Sequence, residues 1–148
     1  MQHALDRVTA MKFARIVFLV AGVWGIAVLT PLYFLVDITG RHYAPPSDYP
    51  QWYYGFLAIT MAWQFAFLVI GSDPARFRPL MVVSIFEKFS YVLTLMTLYG
   101  QGRLSAADFS PFLPDMILGT FFIAAFVKTR TPGVREEHGV LPWSLSES

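Results

Sequence analysis

The sequence predicts an all-α integral membrane protein, a four-helix bundle with both termini in the cytoplasm. Three observations lead there. Of 148 residues, 55% are hydrophobic and 14% charged, with mean hydropathy +0.50, whereas soluble domains are about a quarter charged. Four segments approach the roughly 20 apolar residues that a helix needs to cross a hydrocarbon core about 30 Å thick. The Lys and Arg residues outside those segments fall mostly on one side of the alternation they define.

The first segment, Ile16 to Val36, is 21 consecutive uncharged residues. That run exceeds a secretory leader, and no small-x-small cleavage pattern follows it, so it reads as a retained helix over about 13–36. Pro31 lies in its last third and is expected to kink that end. The second helix, about 50–71, belongs to a run of 24 uncharged residues from Tyr49 to Ser72. Before it, Ala44-Pro45-Pro46-Ser47-Asp48 is turn material, and Tyr43, Tyr49, Trp52, Tyr53 and Tyr54 cluster as an interfacial aromatic belt does. Gly71-Ser72-Asp73-Pro74 then makes a tight turn into the third helix, about 79–101, interrupted only by Glu87 and Lys88. The fourth, about 110–128, is the shortest and carries Asp115 near its start, with Lys128 snorkelling at its end.

One domain therefore covers residues 1–130, followed by a polar cytoplasmic tail over 131–148. Arg7, Lys12, Arg15, Arg76, Arg78, Lys128, Arg130 and Arg135 lie on the side assigned to the cytoplasm, against Arg41 and Arg103 on the other. The absence of cysteine excludes disulfides and thiol chemistry. A net charge of +1 gives no reason to expect a nucleic-acid partner. His3, His42 and His138 are scattered over a tail, a loop and another tail, so neither metal nor cofactor is called for, and no serine sits in a triad context. Gly100-Gln101-Gly102 lacks the strand and helix of a phosphate loop.

Candidate functional residues are the ionisable and amide groups at membrane depth, each costing roughly 2.5–3.5 kcal/mol when charged. Glu87 lies about 12 Å from the inner end by helical rise and Lys88 one step deeper. On a helical projection Ser84, Glu87, Lys88, Ser90, Tyr91, Thr94 and Thr97 share one half of the third helix, expected to face protein. Val82, Ile85, Phe86, Phe89, Val92, Leu93 and Met96 share the half expected to face lipid. Depth matching brings Gln64 level with Glu87 and places Asp115 within reach of Lys88, while Gly22 and Gly25 at that level permit close backbone approach. Gln64, Glu87, Lys88 and Asp115, with Tyr91 just above, form one candidate polar cluster. It either fixes helix packing or meets a ligand or proton; Asp115, after Pro114, also suits a helix-capping role.

The chain resembles the small four-helix bacterial membrane proteins of the DoxX-like kind. The resemblance spans roughly residues 12–130 and is carried by Ala62-Trp63-Gln64, Asp73-Pro74-Ala75-Arg76, Arg78-Pro79, Glu87-Lys88 and Asp115-Met116-Ile117-Leu118-Gly119. It implies a multi-pass protein of the bacterial inner membrane and brings no enzymatic activity with it. The leading functional expectation is a non-enzymatic accessory subunit or a binder of a small lipophilic molecule, its polar cluster flanked by Trp24, Trp63 and Tyr91. Its partners would be the bilayer and either another membrane protein or further copies of itself. The alternatives are a membrane enzyme with Glu87 as acid or base, and an oligomeric proton-coupled transporter.

Overall fold

The computed structural model describes residues 2–34, 50–107, 109 and 111–130, with backbone alone at residues 3 and 4. The expected turn at 44–48, Tyr43, Tyr49, His42 and the tail over 131–148 lie outside the described residues. Among the described residues the chain forms four α-helices: α1 (Gln2–Phe34), α2 (Pro50–Ser72), α3 (Arg78–Gly100) and α4 (Phe112–Lys128). Three of them, α1, α2 and α3, are long and apolar enough to cross a membrane.

Two helix lengths differ from the sequence expectation. α1 begins at Gln2 rather than near residue 13 and runs for 33 residues, through Pro31, to Phe34. At about 1.5 Å per residue it is about 50 Å long, well beyond the thickness of a hydrocarbon core. Residues 2–12 are polar but contain neither Gly nor Pro and several good helix formers, so propensity carries the helix past the end of the apolar run. α4 has only 17 residues, about 26 Å of rise. The chain before it is spent on ending α3. Gly102 adopts φ 68°, and the Arg103 and Gly102 N–H groups donate to the carbonyls of Leu98 and Tyr99 at 2.9 Å each. That is a Schellman ending, with glycine taking the left-handed position. Stacked rings of Tyr99, Phe109 and Phe112, each successive pair 4.6 Å apart, then lead into α4.

The α2–α3 turn forms as expected. The Asp73 carboxylate accepts a hydrogen bond from the Arg76 N–H at 3.1 Å, and Pro79 occupies the first turn of α3, where its missing N–H costs nothing. At the other end of the bundle, Tyr53 O–H donates to the Leu32 carbonyl at 3.0 Å, tying the start of α2 to the end of α1.

α1 packs most extensively on α2, and α3 on α4; α1 also contacts α4, α2 and α3 touch only slightly, and α1 and α3 make no close backbone contact among the described residues. The α1–α2 contact is close because of Gly22. A Cβ there would lie 2.7 Å from Leu68 Cδ2 and 2.9 Å from the Gln64 carbonyl oxygen. The core sits nearer the end carrying the α2–α3 turn. Phe18, Phe67 and Phe122 are fully buried; Phe18 and Phe122 stack with centroids 4.3 Å apart, and Phe67 meets Phe122 edge-on at 5.0 Å. Trp63 packs on this cluster.

The buried face of α3 overlaps the projected one, with Ser84 and Lys88 buried and Glu87 and Tyr91 half-buried, but is rotated from it. Met81, Ser84, Lys88, Val92 and Leu95 are buried, Ile85 and Phe89 are half-buried, and Ser90, Thr94 and Thr97 are exposed. The exposed hydroxyls donate to carbonyls of their own helix, Ser90 to Glu87, Thr94 to Ser90 and Thr97 to Leu93, at 2.8–2.9 Å. A Ser or Thr so satisfied has no need of a protein-facing position. The buried arc is therefore centred on Lys88, and Glu87 flanks it.

Candidate functional site

Above the phenylalanine cluster lies a partly open cavity of about 440 Å³. Its apolar wall is mainly α1, through Val28, Leu29 and Leu32, with Phe56 from α2. Its polar groups come from the other three helices: Thr60 and Gln64 on α2, Glu87, Lys88 and Tyr91 on α3, and Asp115 on α4. All five candidate residues from the sequence thus line one space. Of the flanking aromatics, Trp24 lines it too, and the half-buried Tyr91 ring on α3 lies 6.3 Å from Phe56 on α2. Trp63 is absent from the lining and belongs to the core, a correction to the expected flank.

Lys88 is the hub. It is 5% exposed, and its Nζ lies 2.9 Å from Asp115 Oδ1 and 3.4 Å from Glu87 Oε2. Gly119, one turn further into α4 than Asp115, makes room for it; a Cβ at Gly119 would stand 2.9 Å from the Phe89 ring and 3.4 Å from Lys88 Cβ. The lysine stem passes this glycine and turns outward to the carboxylate. Its ammonium also lies 5.4 Å from the centre of the Phe67 ring, a favourable cation–π placement. Depth matching had placed Asp115 within reach of Lys88, and of the two carboxylates it makes the shorter contact, from another helix. Asp115 also stands in the first turn of α4, where a carboxylate complements the helix dipole.

Two features give the site chemical capacity beyond packing. With both carboxylates ionised, Glu87, Lys88 and Asp115 sum to one net negative charge. Glu87 Oε2 is buried and accepts no hydrogen bond among the described residues; the cation beside it is Lys88 Nζ, at 3.4 Å. Opposite, the buried Gln64 donates through Nε2 to the Thr60 carbonyl at 3.0 Å. Its Oε1 lies where a Cβ of residue 25 would otherwise be. Gly25 therefore has a role that spacing hinted at only as close approach: it houses the Gln64 carboxamide. No family model, no curated protein and no solved structure matches the chain, so the role of this cavity is argued from its geometry.

Proposed function

We propose that the protein is a non-enzymatic multi-pass membrane protein of the small four-helix, DoxX-like kind that holds a small lipophilic molecule between its helices. The observation that supports this is the cavity, whose volume falls within the usual range for small-molecule sites and whose polar groups converge at one end of an apolar wall. The apolar body of the ligand lies along Val28, Leu29 and Leu32. Its polar end meets Glu87 and Asp115 and carries a hydrogen-bond donor, since the acceptors there outnumber the donors. Extraction in mild detergent followed by mass spectrometry tests the reading. A small molecule is expected to co-purify stoichiometrically and to be lost on Leu29→Trp or Thr60→Phe, which fill the space, at unchanged thermal stability. A protein that carries no small molecule but a stoichiometric subunit would replace this reading with that of an accessory subunit.

Glu87 Oε2, buried and without a hydrogen bond among the described residues though 3.4 Å from Lys88 Nζ, favours one alternative, an enzyme acting on a lipophilic substrate with Glu87 as acid or base. Under it, Glu87→Gln retains the bound molecule but abolishes its conversion.

The proposed setting is the bacterial inner membrane, with α4 as a fourth crossing and both termini cytoplasmic. α4 runs antiparallel beside α3: Thr129 Oγ1 lies 3.9 Å from Met81 Sδ, and Arg78 Nη2 donates to the Phe126 carbonyl at 3.2 Å. Its shortfall in length is met by Lys128, whose stem lets the ammonium reach the interface. Reporter fusions after Ser47 and after Asp108 are expected to report the outside. A cytoplasmic signal from either fusion would overturn this orientation.

A further inference from the structure

At the opposite end of the bundle, the extension of α1, the α2–α3 turn and the end of α4 border a second, open cavity of about 580 Å³. Arg7, Lys12 and Arg15 line it from α1, Lys128 and Arg130 from α4 and the residues after it, and Asp73 from the turn. Five cations thus face one carboxylate, and that carboxylate already accepts the Arg76 N–H. Among the described residues the ion pairs all belong to Lys88, so none of the five is neutralised there. The five side chains are exposed, so water and salt screen them in part, and an anion among them would lower their mutual repulsion further.

The surroundings indicate what kind of anion. Lys128 Nζ lies 4.4 Å from the centre of the Phe13 ring. One and two turns beyond Lys12 on α1, Ile16 and Val20 are 61% and 60% exposed, an apolar surface that begins where the cationic lining stops. A phosphate among the cations with hydrocarbon chains along Ile16 and Val20 matches both halves of this surface. We propose that this cavity is a headgroup site for an anionic phospholipid, with preference for one carrying two phosphates over one carrying a single phosphate, because the cations exceed the carboxylate by several charges. The proposal rests on the reading that the chain lies in a bilayer but is independent of the ligand in the Lys88 cavity.

Native mass spectrometry of the full chain in a neutral detergent, titrated with cardiolipin, phosphatidylglycerol and phosphatidylcholine, tests it. Cardiolipin is expected to be retained at least about tenfold better than phosphatidylcholine, with phosphatidylglycerol between them. The triple variant Arg7→Gln, Lys12→Gln, Arg15→Gln should lose that preference by at least about tenfold, since each exposed cation contributes a separate attraction. Leu29→Trp, which fills the other cavity, should leave it intact, so failure of the ligand reading and failure of this one give different results. Equal retention of the three lipids overturns the proposal. So does full displacement of cardiolipin by millimolar inorganic phosphate, which would mark a site for a soluble anion. Retention that appears only after Glu136→Gln and Glu137→Gln would assign the cavity to the chain's own acidic tail and overturn it as well.

Discussion

Lys88→Met is expected to destabilise the protein by about 3–5 kcal/mol, the usual cost of breaking a buried ion pair from one side. Methionine fills the space of the lysine stem, so little packing is lost. What remains is Glu87 and Asp115 facing one another, with side chains only 18% and 19% exposed and their common counter-charge gone. The triple variant Glu87→Gln, Lys88→Met, Asp115→Asn should be much closer to wild type than Lys88→Met alone, because no charge is left uncompensated. The two contact lengths rank the partners. A double-mutant cycle between Lys88 and Asp115, 2.9 Å apart, should give a larger coupling energy than one between Lys88 and Glu87 at 3.4 Å. Thermal unfolding in detergent reads all of these. Additive losses for Lys88 and Asp115 would show that the contact carries no coupling.

The second large effect is expected at Phe122. In a bilayer the alternative environment for an aromatic ring is itself apolar, so the transfer part of burial contributes little and the cavity part dominates. Phe122→Ala removes about 100 Å³ of side chain, and at about 24 cal/mol per Å³ the loss is about 2–3 kcal/mol. The ring is fully buried between Phe18 and Phe67, and neither can move to fill the void without leaving the other. Phe121, one residue earlier and 47% exposed, is the control: Phe121→Ala should cost a small fraction of that. Equal effects at the two positions would mean that the aromatic cluster is not the centre of packing.

The stretches of the site that were legible in the sequence are those whose signal is local. Charge at membrane depth is costly wherever it points, so Glu87, Lys88 and Asp115 stand out by position alone. Depth matching by helical rise also brought Lys88 within reach of Asp115, because antiparallel neighbours share a vertical scale. The rotation of α3 was legible only in part: Ser84, Glu87, Lys88 and Tyr91 are buried or half-buried as projected. The projection treated Ser90, Thr94 and Thr97 as needing protein contact, and each instead donates to its own helix. Val92, assigned to lipid, is buried. Lipid and protein interior are both apolar, so hydrophobicity alone does not tell them apart.

The same reasoning separates the two levels for the whole chain. Sequence by itself determined the apolar segments, the turn at Asp73, the gathering of cations at one end and the presence of two acids with one lysine at depth, since each follows from composition over a few adjacent residues. Tertiary structure decided the rest. It set how far α1 extends and how short α4 is, how the buried face of α3 is rotated, and that Lys88 approaches Asp115 more closely than Glu87. It also decided that a cavity lies above Phe18, Phe67 and Phe122. The physical reason is that axial position along a helix is counted in residues, whereas rotation and spacing between helices depend on where neighbours come close. Here those places are Gly22, Gly25 and Gly119, whose missing Cβ atoms matter only once the opposing side chains are known.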